Sequence, residues 1–478
     1  MRFLVTFGME WNRALPGWLG LLAGIAWFAA ASAAPAADFF DGVDEASKPT
    51  MKEARQRIEK IRKSDFAVTI ADEQGRPVSG DARIRLVRHA FSFGASLLGI
   101  QKLPPDNPAR QPALDVVDEL LNKVTVCNYW RQAQATRGAE MDWTSSDNDL
   151  KWAQEHGKTP RFHAIIYNFP KWFKEIATEE EWWQVFESRI KAVAEHYGKT
   201  IHEYDVINEM VSAEFWKDPR AEIDSYKNFP LLWKPENGAR MMRLARHYLP
   251  DAKLVSLETN ISTVASPHFQ KVVAYDRTLA ELGAPFDYCG YQAHFYASGQ
   301  PFQVGHSEAG PGAFTMQKLG EGLDLLASAG KPIVITEFSP PSRSNKNPKA
   351  DQPRLSDEEV AAWTVNYYTL AFSHPSVQGI TRWFVVDDLG GRGTDAGLVT
   401  KEGEKKPAYY ALKKLLKETW NTDRKGPVDD GKASFRGFYG TYEIAVDGYE
   451  PARFDFTPDA MKATIQLQKP AGPSTPRP

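Results

Sequence analysis

The chain has 478 residues and a formal net charge of −3, with 42% hydrophobic and 25% charged residues. This composition is ordinary for a folded protein, long enough for one large domain with additions or for two or three smaller ones. The near-neutral charge argues against a nucleic-acid-binding protein, which needs a concentrated basic surface. Aromatic residues make up 12% of the chain, which is compatible with a large core or with aromatic binding platforms.

The N-terminus has the pattern of an export signal over residues 1–36. Arg2 and Arg13 precede an apolar stretch at 14–33, and the small residues that follow offer Ala-x-Ala cleavage patterns. An uncleaved membrane anchor is the alternative, because the stretch is nearly long enough to span a bilayer. Our interpretation is cleavage, which predicts a periplasmic or secreted mature protein that does not contact the membrane.

The segments that flank the central part of the chain both have strand patterns. Residues 37–64 predict a linker and a charged amphipathic helix, and residues 65–89 predict a β-hairpin around a turn with Gly and Pro. Residues 430–470 repeat the apolar alternation in short runs, followed by a disordered tail at 471–478. We expect the two flanking segments to form one small accessory β-domain, because chain termini often lie close together.

Between these flanks, residues 90–422 alternate short apolar runs with longer helical patterns. Eight runs have the composition of buried strands, and they are 91–97, 123–129, 161–167, 202–209, 252–260, 286–294, 331–338 and 377–386. Eight strands that alternate with helices predict an α/β protein with a (β/α)8 TIM barrel. A doubly wound sheet is the alternative, but it needs a Gly-rich phosphate turn that "FSFGASLLGIQKL" does not supply.

The active site of such a barrel lies at the carboxyl ends of its strands. Residues suited to chemistry or binding occupy the ends of four predicted strands, and they are Asn208, Glu209, Gln292, His294, Glu337 and Trp383. Glu209 and Glu337 end the fourth and seventh strands, nearly across the barrel mouth from each other. Glycosidic hydrolysis needs one protonated and one ionised carboxyl, so the pair predicts a glycosidase. The sequence leaves open whether Glu258, on the fifth strand, faces the cleft or pairs with an arginine.

Two cysteines occur, Cys127 and Cys289, both inside apolar strand-like runs. We expect two buried thiols, with one disulfide as the alternative in an oxidising compartment. A two-cysteine metal site has no supporting histidine spacing, and neither a metal nor a cofactor is predicted.

Six motifs jointly resemble glycoside hydrolase family 10, the retaining endo-β-1,4-xylanases. They are "HAIIYN" with "FPKW", "YDVINE", "KLVSLETN", "GYQAHF", "VITEF" and "TRWFVVDD", in the family's order within residues 90–420. The resemblance implies that Glu209 is the general acid/base and Glu337 the nucleophile of a double displacement. It also implies eight substrate-site residues, which are Asn208, His294, Gln292, Trp383, His163, Asn168, Asn128 and Tyr167.

Three of these implied roles are specific. Asn208 is expected to bind the sugar 2-hydroxyl, His294 to orient the nucleophile and keep it ionised, and Trp383 to form a wall under the sugar ring. Neighbouring residues of a strand face opposite sides, so Asn208 and Glu209 both reach the cleft only if the strand turns at its end.

The sequence also departs from the family pattern around the expected sugar site. Cys127 stands where the family has an acid, and the Trp-His pair of the third strand becomes Tyr167-Asn168. Ser339 stands where Asp is common, and the family's second Trp after Trp383 is missing. An intact glutamate pair inside a remodelled wall predicts altered specificity rather than lost activity.

The sequence therefore predicts a secreted, monomeric retaining glycoside hydrolase that acts on β-1,4-xylan or a related β-glycan. Its expected partner is a polysaccharide or oligosaccharide substrate. One alternative is a clan-related β-glycosidase with a non-xylan substrate. The other is a non-catalytic carbohydrate-binding protein that has kept the cleft.

Overall fold

The computed structural model of the protein describes residues 44–215, 231–259, 266–296, 303–304, 307–308, 315–342, 356–389 and 395–470. Its strands are β1 (Lys63–Ala71), β2 (Gly80–His89), β3 (Ser92–Ser96), β4 (Lys123–Cys127), β5 (Thr159–His163), β6 (Glu203–Asn208), β7 (Lys253–Glu258), β8 (Tyr288–Tyr296), β9 (Gln303–Val304), β10 (Ser307–Glu308), β11 (Ile333–Ser342), β12 (Val377–Arg382), β13 (Asp423–Val428), β14 (Lys432–Phe438), β15 (Gly440–Val446), β16 (Ala452–Phe456) and β17 (Lys462–Gln466). Its α-helices are α1 (Lys48–Ile61), α2 (Arg110–Leu120), α3 (Trp130–Ala133), α4 (Thr144–Glu155), α5 (Glu179–Tyr197), α6 (Met210–Phe215), α7 (Pro235–Tyr248), α8 (Pro267–Glu281), α9 (Met316–Ala327), α10 (Asp357–Ser373) and α11 (Pro407–Lys414).

Eight of these strands close into a barrel, in the order β3-β4-β5-β6-β7-β8-β11-β12 and back to β3. All neighbouring pairs are parallel, so every strand points its carboxyl end to the same mouth. Helices cover parallel sheets, which is why β4 and β6 are buried along their whole length. The predicted (β/α)8 barrel is confirmed.

The eight predicted barrel strands are all present, with bounds that differ by a few residues. β5 ends at His163, although the sequence pattern continues to residue 167. Ile165 and Ile166 are buried and donate their backbone N–H groups to Asp205 O (2.9 Å) and Val206 O (3.0 Å). The segment thus runs beside β6 in irregular geometry. A buried irregular segment contains the same apolar residues as a buried strand. Composition alone therefore predicts a strand that is too long.

Two strands before β3 and five strands after β12 form two further sheets, β14-β1-β17 and β13-β2-β15-β16. Their buried residues make an apolar core of their own, in which the Phe66 and Phe456 rings stack with centroids 4.0 Å apart. β1 pairs with β14, and β2 pairs with β15. The accessory β-domain is therefore built from both flanking segments, as predicted.

The predicted hairpin over residues 65–89 pairs only next to its turn, where Ala71 bridges Pro77 and Val78 N donates to Ile70 O at 3.1 Å. β1 pairs with β14 and β17, whereas β2 pairs with β13 and β15, so the two strands lie in different sheets. A hairpin strand and a strand of a two-sheet domain both bury every second residue, and sequence alternation does not distinguish them. The choice depended on partner strands that the chain supplies only after the barrel.

Arg62 joins the start of the accessory domain to the barrel. It lies between α1 and β1, and its guanidinium donates to three carbonyl oxygens, those of Phe372 (2.7 Å), His374 (2.8 Å) and Val377 (2.7 Å). Burial lowers the pKa of Arg62 to about 10, so the group remains charged at neutral pH. Val377 is the first residue of β12, so this contact lies at the end of the barrel opposite the mouth.

Two further predictions concern the termini and the cysteines. The export signal at 1–36 and the tail at 471–478 lie outside the described residues. Within the described ranges, no helix combines the length and the apolar character needed to cross a membrane. Cys127 and Cys289 are both free and buried, which confirms the expected pair of thiols.

Candidate active site

Glu209 and Glu337 come together at the barrel mouth through Gln292. Glu337 lies beside Gln292 in the register of β11 and β8. The side-chain amide of Gln292 donates from Nε2 to Glu209 Oε1 at 2.7 Å. The negative charge of Glu337 is near enough to raise the pKa of Glu209. The two glutamates, 128 positions apart in the chain (337 − 209), therefore face one cleft.

The end of β6 turns sharply and brings two neighbouring residues to the same side. Glu209 has a φ of 59°, in the left-handed region that non-glycine residues seldom occupy. Asn208 Oδ1 accepts a hydrogen bond from Gln292 Nε2 at 3.2 Å, so one amide reaches both Asn208 and Glu209. The strand therefore turns at its end, as it must if Asn208 and Glu209 are both to reach the cleft. Backbone strain of this kind is concentrated at functional sites.

The carboxyl of Glu209 is half-buried and accepts two hydrogen bonds. Tyr167 Oη donates to Oε2 at 3.1 Å, and Gln292 donates to Oε1. Burial raises the pKa of Glu209 above its usual value, and the charge of Glu337 raises it further, whereas the bonds from Gln292 and Tyr167 lower it. The net rise in pKa favours the protonated form, which a general acid requires.

Glu337 is 4% exposed and lies between two histidines. His294 Nε2 is 3.1 Å from Oε2, and His163 Nε2 is 3.7 Å from Oε1. Oε1 has no hydrogen-bond partner in the part of the chain that the structure describes. A buried polar atom left unpaired costs about 1–3 kcal/mol. A carboxyl this buried, with a histidine on each side at the barrel mouth, is a candidate functional group.

Each of the two histidines contacts another side chain through Nδ1, the ring nitrogen that does not face Glu337. Asp205 Oδ2 accepts from His163 Nδ1 at 2.8 Å, and His294 Nδ1 is 2.9 Å from Ser339 Oγ. A partner on Nδ1 fixes the orientation of each ring, so that Nε2 faces Glu337.

Asp205 was not predicted from the sequence; it is fully buried and also lies 3.3 Å from Arg161 Nη1. A signal was present, because a charged residue inside an otherwise apolar strand is seldom buried without a partner. Together with Arg161, Asp205 forms a buried polar support beneath His163.

Trp383 follows β12 directly and forms a wall next to the histidines. Its ring lies at 74° to the His163 ring, with centroids 5.2 Å apart, and 6.5 Å from the His294 ring. Beside Trp383 opens a cavity of about 490 Å³ that Cys127 and Tyr129 also line. Cavities of this size are typical of small-molecule sites.

Asn128 lines the same cavity, but its amide has a structural role. Nδ2 donates to Asp142 O at 3.2 Å and to Ser146 Oγ at 3.0 Å, and Oδ1 accepts from Arg189 at 2.8 Å. Both N–H donors are therefore occupied within the chain. Asn128 supports the cavity wall, and its contact with a substrate stays a prediction.

Asn168 lies on the loop that follows β5, with a φ of 51°. Its side-chain amide is 3.4 Å from Gln132 Oε1, and its backbone carbonyl accepts from Arg131 N at 2.8 Å. These bonds join the loops after β4 and β5. The contact of Asn168 with a substrate stays a prediction.

The sequence left open whether Glu258 faces the cleft or pairs with an arginine. In the structure its carboxyl supports the segment after Glu209. Its Oε1 accepts from Val211 N at 2.5 Å, and its Oε2 accepts from Ser212 Oγ at 3.1 Å. Burial raises the pKa of Glu258 to about 8, so the group is mostly neutral at pH 7. A neutral carboxyl at this position caps α6 without bringing a further charge to the cleft.

Comparison with known proteins places this geometry in a family. The model of glycosyl hydrolase family 10 matches residues 95–415. Anti-sigma-I factor RsgI6 of Acetivibrio thermocellus is 25% identical over 425 residues, covering 87% of this chain and 49% of that protein. Endo-1,4-beta-xylanase 1 of Arabidopsis thaliana is 25% identical over 419 residues, covering 83% of this chain and 38% of that protein. The chain thus spans about half or less of the length of these two curated relatives.

A solved structure has the same fold. Xylanase 10B from Thermotoga petrophila RKU-1, in complex with xylobiose, superposes with a TM-score of 0.55 at 21% identity, covering 69% of this chain and 95% of that chain. At this identity the likeness concerns the fold alone. The family model, however, covers well over half of the chain, including the barrel strands from β4 to β12. The chain belongs to glycosyl hydrolase family 10.

Proposed function

We propose that the chain is a retaining β-glycosidase that cleaves β-1,4-xylan or a related β-glycan, with Glu337 as nucleophile and Glu209 as general acid/base. The observation that carries the proposal is a pair of carboxyls in one cleft with different surroundings. Burial and the charge of Glu337 raise the pKa of Glu209, whereas Glu337 lies between His294 and His163. A carboxyl with a raised pKa that shares a cleft with a second carboxyl suits glycoside hydrolysis, which needs a proton donor beside a nucleophile.

The reaction proceeds by two displacements at the anomeric carbon. A carboxylate oxygen of Glu337 attacks this carbon while Glu209 gives its proton to the leaving glycosidic oxygen. The old glycosidic bond breaks, and a covalent glycosyl-enzyme forms. Glu209, now ionised, then removes a proton from a water molecule, whose oxygen attacks the same carbon and releases Glu337. Two inversions restore the β configuration.

The neighbouring side chains fit this scheme. His294 and His163 hold the carboxyl of Glu337 from two sides, with their Nε2 atoms 3.1 Å and 3.7 Å from its oxygens. Asn208 Nδ2 is buried and has no hydrogen-bond partner among the described residues, so it is available to a sugar hydroxyl. A donor that is unpaired before binding and paired in the complex favours the bound state. Trp383 offers an apolar ring to the sugar.

A xylan-type substrate is supported by the relatives, several of which are named endo-1,4-beta-xylanases. The export-signal pattern over residues 1–36 supports delivery to the periplasm or the exterior, where a polymeric glycan would be met. We also propose that the protein acts as a monomer, because both glutamates and the side chains that hold them come from one chain.

The proposal is tested by the stereochemistry and the specificity of hydrolysis. Proton NMR of a xylan digest is expected to show the β-anomer as the first product, with the α-anomer appearing later by mutarotation. A first product with the α configuration would contradict the double displacement. In a panel of β-glycans, release of reducing sugar from glucan but not from xylan would favour the clan-related glycosidase with a non-xylan substrate.

A non-catalytic carbohydrate-binding protein is the second candidate, and the altered cavity wall at Cys127 favours it. This candidate predicts calorimetric binding of oligosaccharides without hydrolysis of any glycan or activated aryl glycoside. The raised pKa of Glu209 favours an enzyme, because sugar binding alone does not require a protonated acid.

The contact between Tyr167 and Glu209 gives a prediction for the pH profile. Tyr167→Phe removes a hydrogen bond that favours the ionised form of Glu209 and lowers its pKa. The pKa of Glu209 is expected to rise, and because the acid works when protonated, the alkaline limb of kcat/KM should move to higher pH. The loss at the pH optimum should stay below about tenfold.

Tyr410→Phe is the matched control, since Tyr410 is 59% exposed on α11. Its pH profile should equal that of the parent protein. If Tyr167→Phe instead raises KM and leaves the alkaline limb in place, Tyr167 is a direct sugar contact, as the family resemblance implied.

A further inference from the structure

The cavity beside Trp383 has an apolar inner wall. Its larger apolar lining residues are Leu98, Leu103, Cys127, Trp383, Phe384 and Leu389. Three of them, Cys127, Trp383 and Phe384, form with Ala396 an apolar cluster that is separate from the barrel core. The leucines are half-buried, so their side chains are accessible from the cavity. This inner wall is apolar although it borders the proposed sugar site, and polar residues line the rest of the cavity.

The cavity lies on the side of the cleft where Glu337 is. Cys127 pairs in register with His163, whose Nε2 is 3.7 Å from Glu337 Oε1 and whose ring contacts Trp383. In the proposed reaction the sugar that bonds to Glu337 is the glycone, and the leaving group lies next to Glu209. The cavity therefore adjoins the glycone.

An unsubstituted sugar is a poor match for this wall. A pyranose carries a hydroxyl on most of its ring carbons, and each hydroxyl buried without a partner is unfavourable. Both amide hydrogens of Asn128 are already donated within the chain, and the Cys127 thiol lies 3.7 Å from Ser96 Oγ. Five further polar residues line the cavity. Of these, Lys102, Gln132 and Asp142 are exposed, whereas Tyr129 and Ser145 are half-buried.

We propose that this cavity binds an apolar acyl group that is ester-linked to the glycone sugar. The inference rests on the proposed function and specifies its substrate as an O-acylated β-glycan. Esterification replaces a hydroxyl donor with apolar carbon, which gains free energy when it leaves water for the leucine and aromatic side chains. The volume of about 490 Å³ has room for an acetyl or a larger hydroxycinnamoyl group.

The test compares xylo-oligosaccharides that differ only in their esters. One arm carries acetyl groups, a second carries a hydroxycinnamoyl group, and each is paired with the same oligosaccharide after mild alkaline removal of the ester. We expect kcat/KM to favour the acylated form about threefold for acetyl and about tenfold or more for hydroxycinnamoyl. A preference in one arm identifies the acyl class, and a ratio of one or less in both arms overturns the inference.

Leu103→Asn assigns the preference to the cavity, because it keeps the size of the side chain and makes it polar. The ratio of acylated to de-esterified kcat/KM should fall toward one. Leu325→Asn, at a half-buried leucine of α9, is the matched control and should keep the parent ratio. Leu389→Asn serves if the Leu103 variant fails to fold. A parent-like ratio in a folded cavity variant overturns the inference.

The design separates this inference from the proposed function. Equal hydrolysis of acylated and de-esterified substrates would leave the glycosidase standing and remove the acyl site. Absence of hydrolysis in every arm would remove the glycosidase. Calorimetry then tests whether the cavity binds the acyl group. Tighter binding of the acylated oligosaccharide supports the acyl site, and equal binding overturns it.

Discussion

Glu337→Gln is expected to lower kcat on xylan on the order of 10⁴-fold or more, because an amide cannot form the glycosyl-enzyme bond. The fold should tolerate the change. Glutamine has the shape of the glutamate, and Glu337 Oε1 is buried without a hydrogen-bond partner in the described chain. The amide oxygen of the variant can still accept from His294, so the melting temperature should stay close to that of the parent. Steady-state kinetics and thermal unfolding of the same preparation check both statements.

Glu443→Gln is the matched control for this experiment. Glu443 lies in the accessory domain and pairs with Arg85 and Arg453, at 2.6 and 3.3 Å. This variant should retain parent activity. If the Glu337 variant hydrolyses an activated aryl glycoside as fast as the parent, another group is the nucleophile and the proposed mechanism is wrong.

Glu209→Gln should have the second-largest effect, and the effect should depend on the leaving group. On xylan we expect a loss on the order of 10³-fold, since the glycosidic oxygen leaves as an unprotonated alkoxide. A dinitrophenyl xylobioside needs no protonation, so its first step should proceed at a rate close to that of the parent. The second step still lacks its base, so the glycosyl-enzyme should accumulate. A pre-steady-state burst of dinitrophenol measures this accumulation.

Azide added to the Glu209 variant should restore turnover on the dinitrophenyl substrate, because this anion attacks the anomeric carbon without a general base. The product should be a glycosyl azide of β configuration. Equal losses on xylan and on the activated substrate, with neither a burst nor azide rescue, would show that Glu209 does not act as the acid/base.

The barrel and its order of strands were predictable because each strand carries its own signal. A strand that is covered by helices on its outer face and packed inside the barrel is mostly apolar, as in β4. When such apolar runs alternate with helical patterns along the chain, few folds remain possible. The bounds were less certain at β5, where the buried residues Ile165 and Ile166 follow the strand and resemble it in composition.

The pairing within the accessory domain was not predictable in the same way. The alternation in β1 and β2 specifies one buried face for each strand and says nothing about which strand is its neighbour. The neighbours of β1 are β14 and β17, from the far end of the chain. Long-range pairing is chosen by the fit of complete strands, which a local pattern does not contain.

Within the candidate site, the positions of Glu209 and Glu337 at strand ends could be read from the sequence. Their hydrogen bonds could not. The φ of 59° at Glu209 lets Gln292 reach both Asn208 and Glu209, and a backbone angle at a non-glycine residue has no composition signal. Tyr167 was expected to contact sugar, whereas its hydroxyl lies on Glu209.

The chain alone therefore specified the architecture and the two carboxyls at the mouth, because these follow from local periodicity and from where strands end. Tertiary packing decided the protonation preference of Glu209, the structural use of Asn128 and the apolar cavity next to Trp383. The reason is physical. A pKa, a hydrogen bond and a cavity depend on distances between side chains from different strands, and these distances exist only after the barrel has closed.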